Sequence, residues 1–155
     1  MAEHILKREM TVELPRADVF EFFSDAANLE RITPAELNFH IATPQPIEMR
    51  EGALIEYNLK LHGFPLKWKT LISKWDPPYE FVDEQLSGPY KQWIHRHTFT
   101  EIDAGGATLI EDEVKYRLPL EPFGDMALFI VERQLKNIFD ARHKAVADVL
   151  NVRKY

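Results

Sequence analysis

Two histidines and two aspartates in the second half of the chain have the residue types and the spacing for acid–base chemistry. His95 and His97 lie two residues apart in a segment that alternates in polarity, so on a β-strand both imidazoles would point to one face. The short turns on either side of this strand would place Asp112 opposite His97 and Asp83 near His95. Because imidazole titrates near neutral pH, a histidine beside a carboxylate can serve as a general acid or base.

The residues alone leave three interpretations of this group open. In the first, the four polar side chains satisfy each other's hydrogen bonds, as buried polar groups usually do. In the second, they orient the polar end of an apolar ligand. In the third, a histidine–aspartate contact supports a dehydration, a cyclisation or a proton transfer, although no nucleophile or oxyanion motif accompanies it. His-x-His is only a weak metal signal, and no glycine-rich phosphate or dinucleotide motif is present, so we predict neither a metal nor a cofactor.

The elements that would position these residues follow from the periodicity of the sequence. Residues 6–14 alternate like a strand, Pro15 suits the first turn of a short helix, and Asp25 can cap a second short helix. Further strand patterns cover 37–43, 53–61, 66–75, 80–86, 91–101 and 107–117. Turns as short as those between them can join only antiparallel neighbours. Asp125 then begins a long amphipathic helix, predicted over 126–150.

A comparison of lengths predicts unfilled space inside this arrangement. The long helix would span roughly 37 Å, and seven strands would make a sheet roughly 30 Å wide. One helix about 10 Å in diameter cannot fill the concave side of a strongly twisted sheet. We therefore predict a single α+β domain over residues 1–155, a curved antiparallel sheet around the helix, with aromatic side chains or a guest molecule between them.

Side chains predicted to face this space form the candidate ligand site. They are Tyr57, Phe64, Trp68, Phe81, Gln85, Trp93, His95, His97, Phe99, Asp112, Tyr116, Phe129 and Arg142. Aromatic rings would supply apolar contact area, and the polar members would anchor a polar group. Arg142 interrupts the apolar stripe of the long helix, so it either meets a polar group in the cavity or extends to solvent. The predicted entrance lies between the long helix and the hairpin ends near Phe64 and Gly88.

Composition excludes several classes of function. The net charge of -6 argues against sequence-independent binding of nucleic acid. The absence of cysteine excludes disulfides, thiolate nucleophiles and cysteine-based zinc sites. No apolar run approaches the length of a membrane span, so we predict a cytoplasmic protein with no integral membrane association, either a monomer or a weak dimer.

The predicted order β-α-α-β-β-β-β-β-β-α is similar to the helix-grip fold of the START-like (SRPBCC) superfamily. Residues 14–20 and 23–25 resemble the transition from the first strand into the helices of that family. Residues 81–99 resemble a bacterial subgroup described as ligand-binding or polyketide cyclase/dehydrase-like, and 62–65 resemble the Gly-x-Pro loop of related hormone receptors except at the first residue. The resemblance implies a cavity for a small hydrophobic molecule such as a lipid, quinone, isoprenoid or polyketide-like compound. A cyclase or dehydratase using the His/Asp pair, and an interaction module whose cavity is self-filled, are the alternatives.

Overall fold

The computed structural model describes residues 2–61, 63–119 and 127–152, with the backbone alone for residues 151 and 152. Seven strands form one antiparallel sheet in the order β1-β7-β6-β5-β4-β3-β2. The strands are β1 His4–Val12, β2 His40–Ile41, β3 Leu54–Leu61, β4 Phe64–Asp76, β5 Glu80–Ser87, β6 Gln92–Ile102 and β7 Ala107–Arg117. The helices are α1 Arg16–Ser24, α2 Ala27–Ile32 and α3 Leu128–Val152. The predicted α+β architecture, with two short helices after the first strand and one long C-terminal helix, is confirmed.

Several element bounds differ from the prediction, and one predicted start lies outside the described residues. β1 covers His4–Val12 rather than 6–14, and the long helix ends at Val152 rather than at 150. The strand predicted over 37–43 shortens to two residues because Asn38 adopts a left-handed conformation after a single 3-10 turn. β4 extends two residues further towards its hairpin than expected. Asp125, predicted to begin the long helix, lies outside the described residues. The capping role predicted for Asp25 is observed, since its carboxylate accepts a hydrogen bond from the backbone N–H of Ala27 at 3.0 Å.

The curvature of the sheet has a visible cause in β4. Its register against β5 shifts twice, between Lys69 and Thr70 and between Ile72 and Lys74. Such bulges bend a strand and increase its twist. The bent sheet therefore presents a concave face, and α3 crosses that face.

Three clusters of buried apolar side chains attach the helices to the sheet. One surrounds Phe20, a second surrounds Trp93 under the first half of α3, and a third lies around Ile55. Arg8, the charged residue on the otherwise apolar face of β1, forms an ion pair with Asp140 of α3. This contact explains how a charge is accommodated on the inner face of the sheet. Within the described ranges, no helix is both long enough and apolar enough to cross a membrane.

Candidate ligand-binding cavity

A cavity of about 210 Å³ lies between the concave face of the sheet and α3. Its walls include members of all three apolar clusters, so it lies where those clusters meet. Helix α3 contributes Leu135, Ile138, Phe139 and Arg142, while α1 and α2 close the side near Phe22 and Ile32. The surplus of space expected from the lengths of the helix and the sheet is therefore present.

About half of the predicted ligand-site residues line this cavity. They are Tyr57, Trp68, Phe81, Trp93, His95, His97 and Arg142, together with the catalytic candidate Asp83. Alternation along β6 accounts for several of them, because every second residue from Trp93 to Phe99 is buried. The structure thus brings these side chains together around one space, and their roles in binding stay predictions.

Four other predicted site residues lie next to the cavity rather than in its walls. Phe99 packs into the core against Phe20, with ring centroids 5.2 Å apart. Tyr116 lies in the second cluster. Gln85 spans the turn after β5, where its amide donates to the Tyr90 carbonyl at 2.7 Å and accepts from the Tyr90 N–H at 3.1 Å. Asp112 is buried beside the two imidazoles and does not reach the cavity wall.

Phe129 was placed in the cavity wall incorrectly, and Phe64, predicted as a ligand-site residue near the entrance, does not line the cavity. Phe64 is the first residue after the turn between β3 and β4, and it is 72% exposed. Phe129 is 70% exposed because it lies about 100° around α3 from Leu128, which packs against the second cluster. Neither side chain contributes to the cavity walls.

The two histidines and two aspartates form a closed group, which we call the His–Asp cluster: Asp83, His95, His97 and Asp112. The predicted register is confirmed, since His97 lies opposite Asp112 and His95 lies opposite Asp83. The short hydrogen bonds nevertheless follow the diagonals. His97 Nε2 lies 2.6 Å from Asp83 Oδ2, and His95 Nε2 lies 2.7 Å from Asp112 Oδ1. The distances between the residues that lie directly opposite each other in the sheet are longer. They are 3.4 Å from His97 Nδ1 to Asp112 Oδ1 and 3.9 Å from His95 Nδ1 to Asp83 Oδ2.

Ring stacking explains why the diagonal contacts are the shorter ones. The His95 and His97 rings stack with centroids 3.7 Å apart and planes 25° from parallel. Phe81 stacks on His97 at 4.1 Å and 14°. The column of rings fixes the orientation of both imidazoles, and each side of the stacked pair then meets one carboxylate.

Burial and charge act in opposite directions on the pKa values of this cluster. Burial alone would raise the pKa of Asp83 and of Asp112, but the neighbouring imidazoles and the Arg142 charge hold both below the ordinary value, that of Asp112 well below it. Burial lowers the pKa of His95, and the His97 charge lowers it further. Burial also opposes a charge on His97, yet hydrogen bonds to both carboxylates raise its pKa.

The opposite pKa shifts of His95 and His97 favour one proton charge, rather than two, on the pair of imidazoles. Two imidazolium rings stacked at 3.7 Å would repel each other, so the second proton is disfavoured. The proton is therefore held more firmly by His97 than by His95, while both carboxylates are held in the ionised form. Neutral His95 donates its Nε2–H to Asp112, which leaves Nδ1 as an unprotonated acceptor.

A metal ion is a further chemical possibility for three of these residues. Ligand atoms of Asp83, His95 and His97 all lie within 4.8 Å of one another. Two imidazoles and one carboxylate suit divalent transition metals. However, the imidazole planes are close to parallel, so their nitrogen lone pairs do not converge on one point, and both Nε2 atoms already contact carboxylates. The arrangement fits hydrogen bonding better than metal coordination.

Several residues near the cavity were not predicted from the sequence. Thr70 lines the cavity from β4, two residues after Trp68 on the same face of the strand, so the alternation that predicted Trp68 also indicated Thr70. Asn28 lines it from α2 and donates to the Phe22 carbonyl at 2.8 Å. His143 Nε2 lies 3.8 Å from Asp112 Oδ2. Its position four residues after Phe139 was a usable signal, because that spacing keeps two side chains on one face of a helix.

The fold defines a class of protein. A seven-stranded antiparallel sheet around one long helix, with two short helices after the first strand, is the helix-grip α+β fold of START-type proteins. The resemblance to the START-like superfamily is therefore confirmed at the level of the fold.

Particular solved structures share this fold over nearly the whole chain. The Zhui aromatase/cyclase from Streptomyces sp. R1128 superposes with a TM-score of 0.80 at 16% identity, covering 99% of this chain and 97% of that one. A START superfamily protein from Mycobacterium smegmatis gives 0.69 at 13% identity, covering 94% and 99%. A norcoclaurine synthase from Thalictrum gives 0.72 at 12% identity, covering 99% and 98%. No family model and no curated protein sequence matches the chain.

Proposed function

We propose that this protein binds a small hydrophobic molecule in the cavity between the sheet and α3. The observation that carries the proposal is the cavity itself, with a volume of about 210 Å³ and mostly apolar walls. An engineered apolar cavity of roughly 150 Å³ is already enough to hold benzene. A dry void of the present size would instead cost packing energy, because its lining atoms lack contacts on one side.

Burial of apolar surface supplies the driving force for such binding. Each 100 Å² of apolar ligand surface removed from water contributes roughly 2.5 kcal/mol before the costs of ordering. Tyr57, Trp68 and Trp93 provide rigid ring surfaces, while the His–Asp cluster and Arg142 provide the polar contacts. This combination supports an amphipathic ligand in the range of a lipid, quinone, isoprenoid or polyketide-like compound.

A cavity-filling variant tests the proposal directly. Ile138→Trp places a large side chain in the cavity, and Lys136→Trp adds the same indole at an exposed position of the same helix. We expect the wild type and Lys136→Trp to bind a neutral fluorescent probe such as N-phenyl-1-naphthylamine, and Ile138→Trp to lose binding while staying folded by circular dichroism. Native mass spectrometry of protein purified from cells should also show a co-purifying small molecule. Equal probe binding by all three proteins, or none by the wild type, would refute the proposal.

The His–Asp cluster favours acid–base catalysis as a second candidate function. His95 and His97 face the same cavity with pKa values pushed apart, which is the arrangement that separates a base from an acid. Neutral His95 would accept a proton and charged His97 would donate one, as a cyclisation or dehydration requires. The aromatase/cyclase with this fold supports the same interpretation.

Substitution of His97 separates the two candidate functions. In a catalyst, His97→Gln abolishes turnover of a polyketide-like substrate and leaves its affinity nearly intact. In a binder, the same change lowers affinity and there is no turnover to lose. Turnover by the wild type that persists unchanged in His97→Gln would exclude proton donation by this imidazole.

A further inference from the structure

Thr70 is a buried polar residue in the cavity wall whose hydroxyl lacks a well-formed hydrogen bond. Its side chain is 1% exposed, and its hydroxyl oxygen makes no hydrogen bond of good geometry within the described part of the chain. Burying a hydroxyl without a partner costs free energy, so native proteins rarely leave one in that state. A comparable threonine on β7, Thr108, donates to a backbone carbonyl at 2.8 Å. The Thr70 hydroxyl has only a poorly aligned contact with the Tyr57 phenol among the described residues, so a ligand acceptor would complete its hydrogen bonding.

Arg142 is the second donor in the cavity wall, and it reaches the cavity from α3. Its guanidinium lies 5.8 Å from the ring centroids of both Phe23 and Phe139. Among the described residues it has no ion pair within 4.0 Å and no hydrogen bond, although its charge acts on Asp83 and Asp112 from a greater distance. Contacts to two ring faces leave the N–H groups of the guanidinium available, and all of them are donors. Arg142 therefore offers several hydrogen bonds to an acceptor inside the cavity.

Tyr57 connects these two residues. It lines the cavity beside Thr70, and both the Thr70 hydroxyl and the Arg142 charge are close enough to act on its phenol. Burial raises the pKa of Tyr57, and the negative charge of Asp83 raises it further. Together they outweigh the lowering of this pKa by Thr70 and Arg142, so the phenol keeps its proton. Two hydroxyls and a guanidinium thus face one region of the cavity, and this set of groups is rich in donors.

A carboxylate already present in the cavity wall favours an uncharged acceptor. Asp83 lines the same cavity, the neighbouring imidazoles hold its pKa below the ordinary value, and its negative charge acts on Tyr57. A carboxylate on the ligand would bring a second negative charge close to Asp83 in a mostly apolar cavity, which is costly. A carbonyl oxygen accepts the same hydrogen bonds and adds no charge to the cavity.

We propose that the ligand carries an uncharged carbonyl oxygen, as in a ketone, an ester or a quinone, and that Arg142 and Thr70 bind this oxygen with Tyr57 beside them. The proposal rests on the proposed binding function and assigns the chemical class of the bound group. The apolar remainder of the ligand would then contact the aromatic walls at Trp68 and Trp93.

Three probes that differ at one group test this assignment. They are 6-dimethylamino-2-acetylnaphthalene, its 2-ethyl analogue without the carbonyl, and the 2-carboxylate, each titrated by fluorescence at pH 7.5. We expect the ketone to bind about tenfold more tightly than the ethyl compound, and the carboxylate to bind more weakly than the ketone by at least about tenfold. Thr70→Val and Arg142→Met should each reduce the preference for the ketone and leave the affinity for the ethyl probe nearly unchanged.

The outcomes separate this proposal from the binding function. If no probe binds the wild type, the proposed function fails and this assignment fails with it. If ketone and ethyl probes bind equally, if the carboxylate binds most tightly, or if either variant keeps the full preference, the carbonyl assignment is overturned while hydrophobic binding stands. If Thr70 or Arg142 had a purely structural role, its substitution would weaken the binding of the ketone and ethyl probes alike. That result would also overturn the carbonyl assignment.

Discussion

Replacing Asp112 by asparagine would remove one negative charge from the buried His–Asp cluster with almost no change in side-chain size. In the structure this carboxylate is 4% exposed. It lies 2.7 Å from His95 Nε2 and 3.4 Å from His97 Nδ1. The asparagine oxygen can still accept from His95, but its amide group would face the proton on His97 Nδ1. The substitution therefore acts mainly on the charged state of His97.

The magnitude follows from the distance between the charged groups. A unit charge on His97 and one on Asp112, 3.4 Å apart, attract each other by about 5 kcal/mol at an effective dielectric constant of about 20. Release of the His97 proton would recover part of that loss in the variant. We expect a net decrease of about 3 kcal/mol in the free energy of unfolding at pH 6, which corresponds to a decrease of roughly 6 to 12 °C in Tm.

The pH dependence of this loss provides a sharper criterion. The lowered pKa of Asp112 stabilises the fold above about pH 4, and this contribution disappears as pH falls through the lowered value. The raised pKa of His97 stabilises the fold fully below about pH 6.5, and this contribution disappears as pH rises through the raised value. The difference between wild type and Asp112→Asn should therefore be largest between about pH 4 and 6.5 and decrease above that range.

Urea unfolding followed by circular dichroism at several pH values measures this difference. Glu113→Gln is the matched control, because Glu113 lies next in the same strand and its ion pairs within the described ranges are long, at 3.8 Å to Lys7 and 3.9 Å to Lys115. We expect it to change the free energy of unfolding by less than about 1 kcal/mol. A loss in Asp112→Asn no larger than in the control, or a loss that grows steadily above pH 7, would refute the charge assignment.

Four further substitutions test packing and hydrogen bonding in and around the sheet, each by urea unfolding of ligand-free protein. Thr70→Val should raise the free energy of unfolding by about 1 kcal/mol because it removes a hydroxyl without a well-formed hydrogen bond, whereas Thr108→Val should lower it by about 1 to 2 kcal/mol because it removes a bonded one. Gly88→Ala should lower it by about 1 kcal/mol, since the new Cβ would lie 2.6 Å from Gln85 Oε1 and displace the amide that holds the following turn. Phe129→Ser should change it by less than about 0.5 kcal/mol because the ring is 70% exposed.

Opposite results would each contradict a specific contact. A destabilised Thr70→Val protein would mean that the hydroxyl has a strong partner within the folded chain. An unchanged Gly88→Ala protein would mean that the Gln85 amide does not hold the turn. A loss of several kcal/mol in Phe129→Ser would mean that this ring is buried in solution.

Periodicity was sufficient to predict the sheet and the shared face of β6. The residues from Trp93 to Phe99 alternate cleanly, and short turns on both sides restrict the register to few choices. His97 opposite Asp112 and His95 opposite Asp83 were therefore accessible from the sequence. The diagonal hydrogen bonds were not, because they depend on ring stacking and side-chain rotation, which leave no trace in the spacing of residues.

The errors in the predicted site have physical causes of the same kind. Thr70 was missed because threonine is an ordinary strand residue that suggests no binding role, although alternation from Trp68 places it on the inner face. Phe64 and Phe129 were included for their aromatic character, although neither the hairpin tip nor the helix phase directs them inward. Aromatic residues near a predicted cavity must therefore be assigned by position on their element before they are assigned by type.

Pairing of the first strand with the last has a consequence for folding during synthesis on the ribosome. His4 pairs with Tyr116, so β1 emerges long before the strand that it joins. At synthesis rates of about 5 to 20 residues per second, it would wait for roughly 5 to 20 s. Throughout that interval the apolar side chains of β1 have no sheet to cover them, and such distant pairing slows folding. Closure of the sheet, and with it the cavity, is therefore a late event that follows translation of nearly the whole domain.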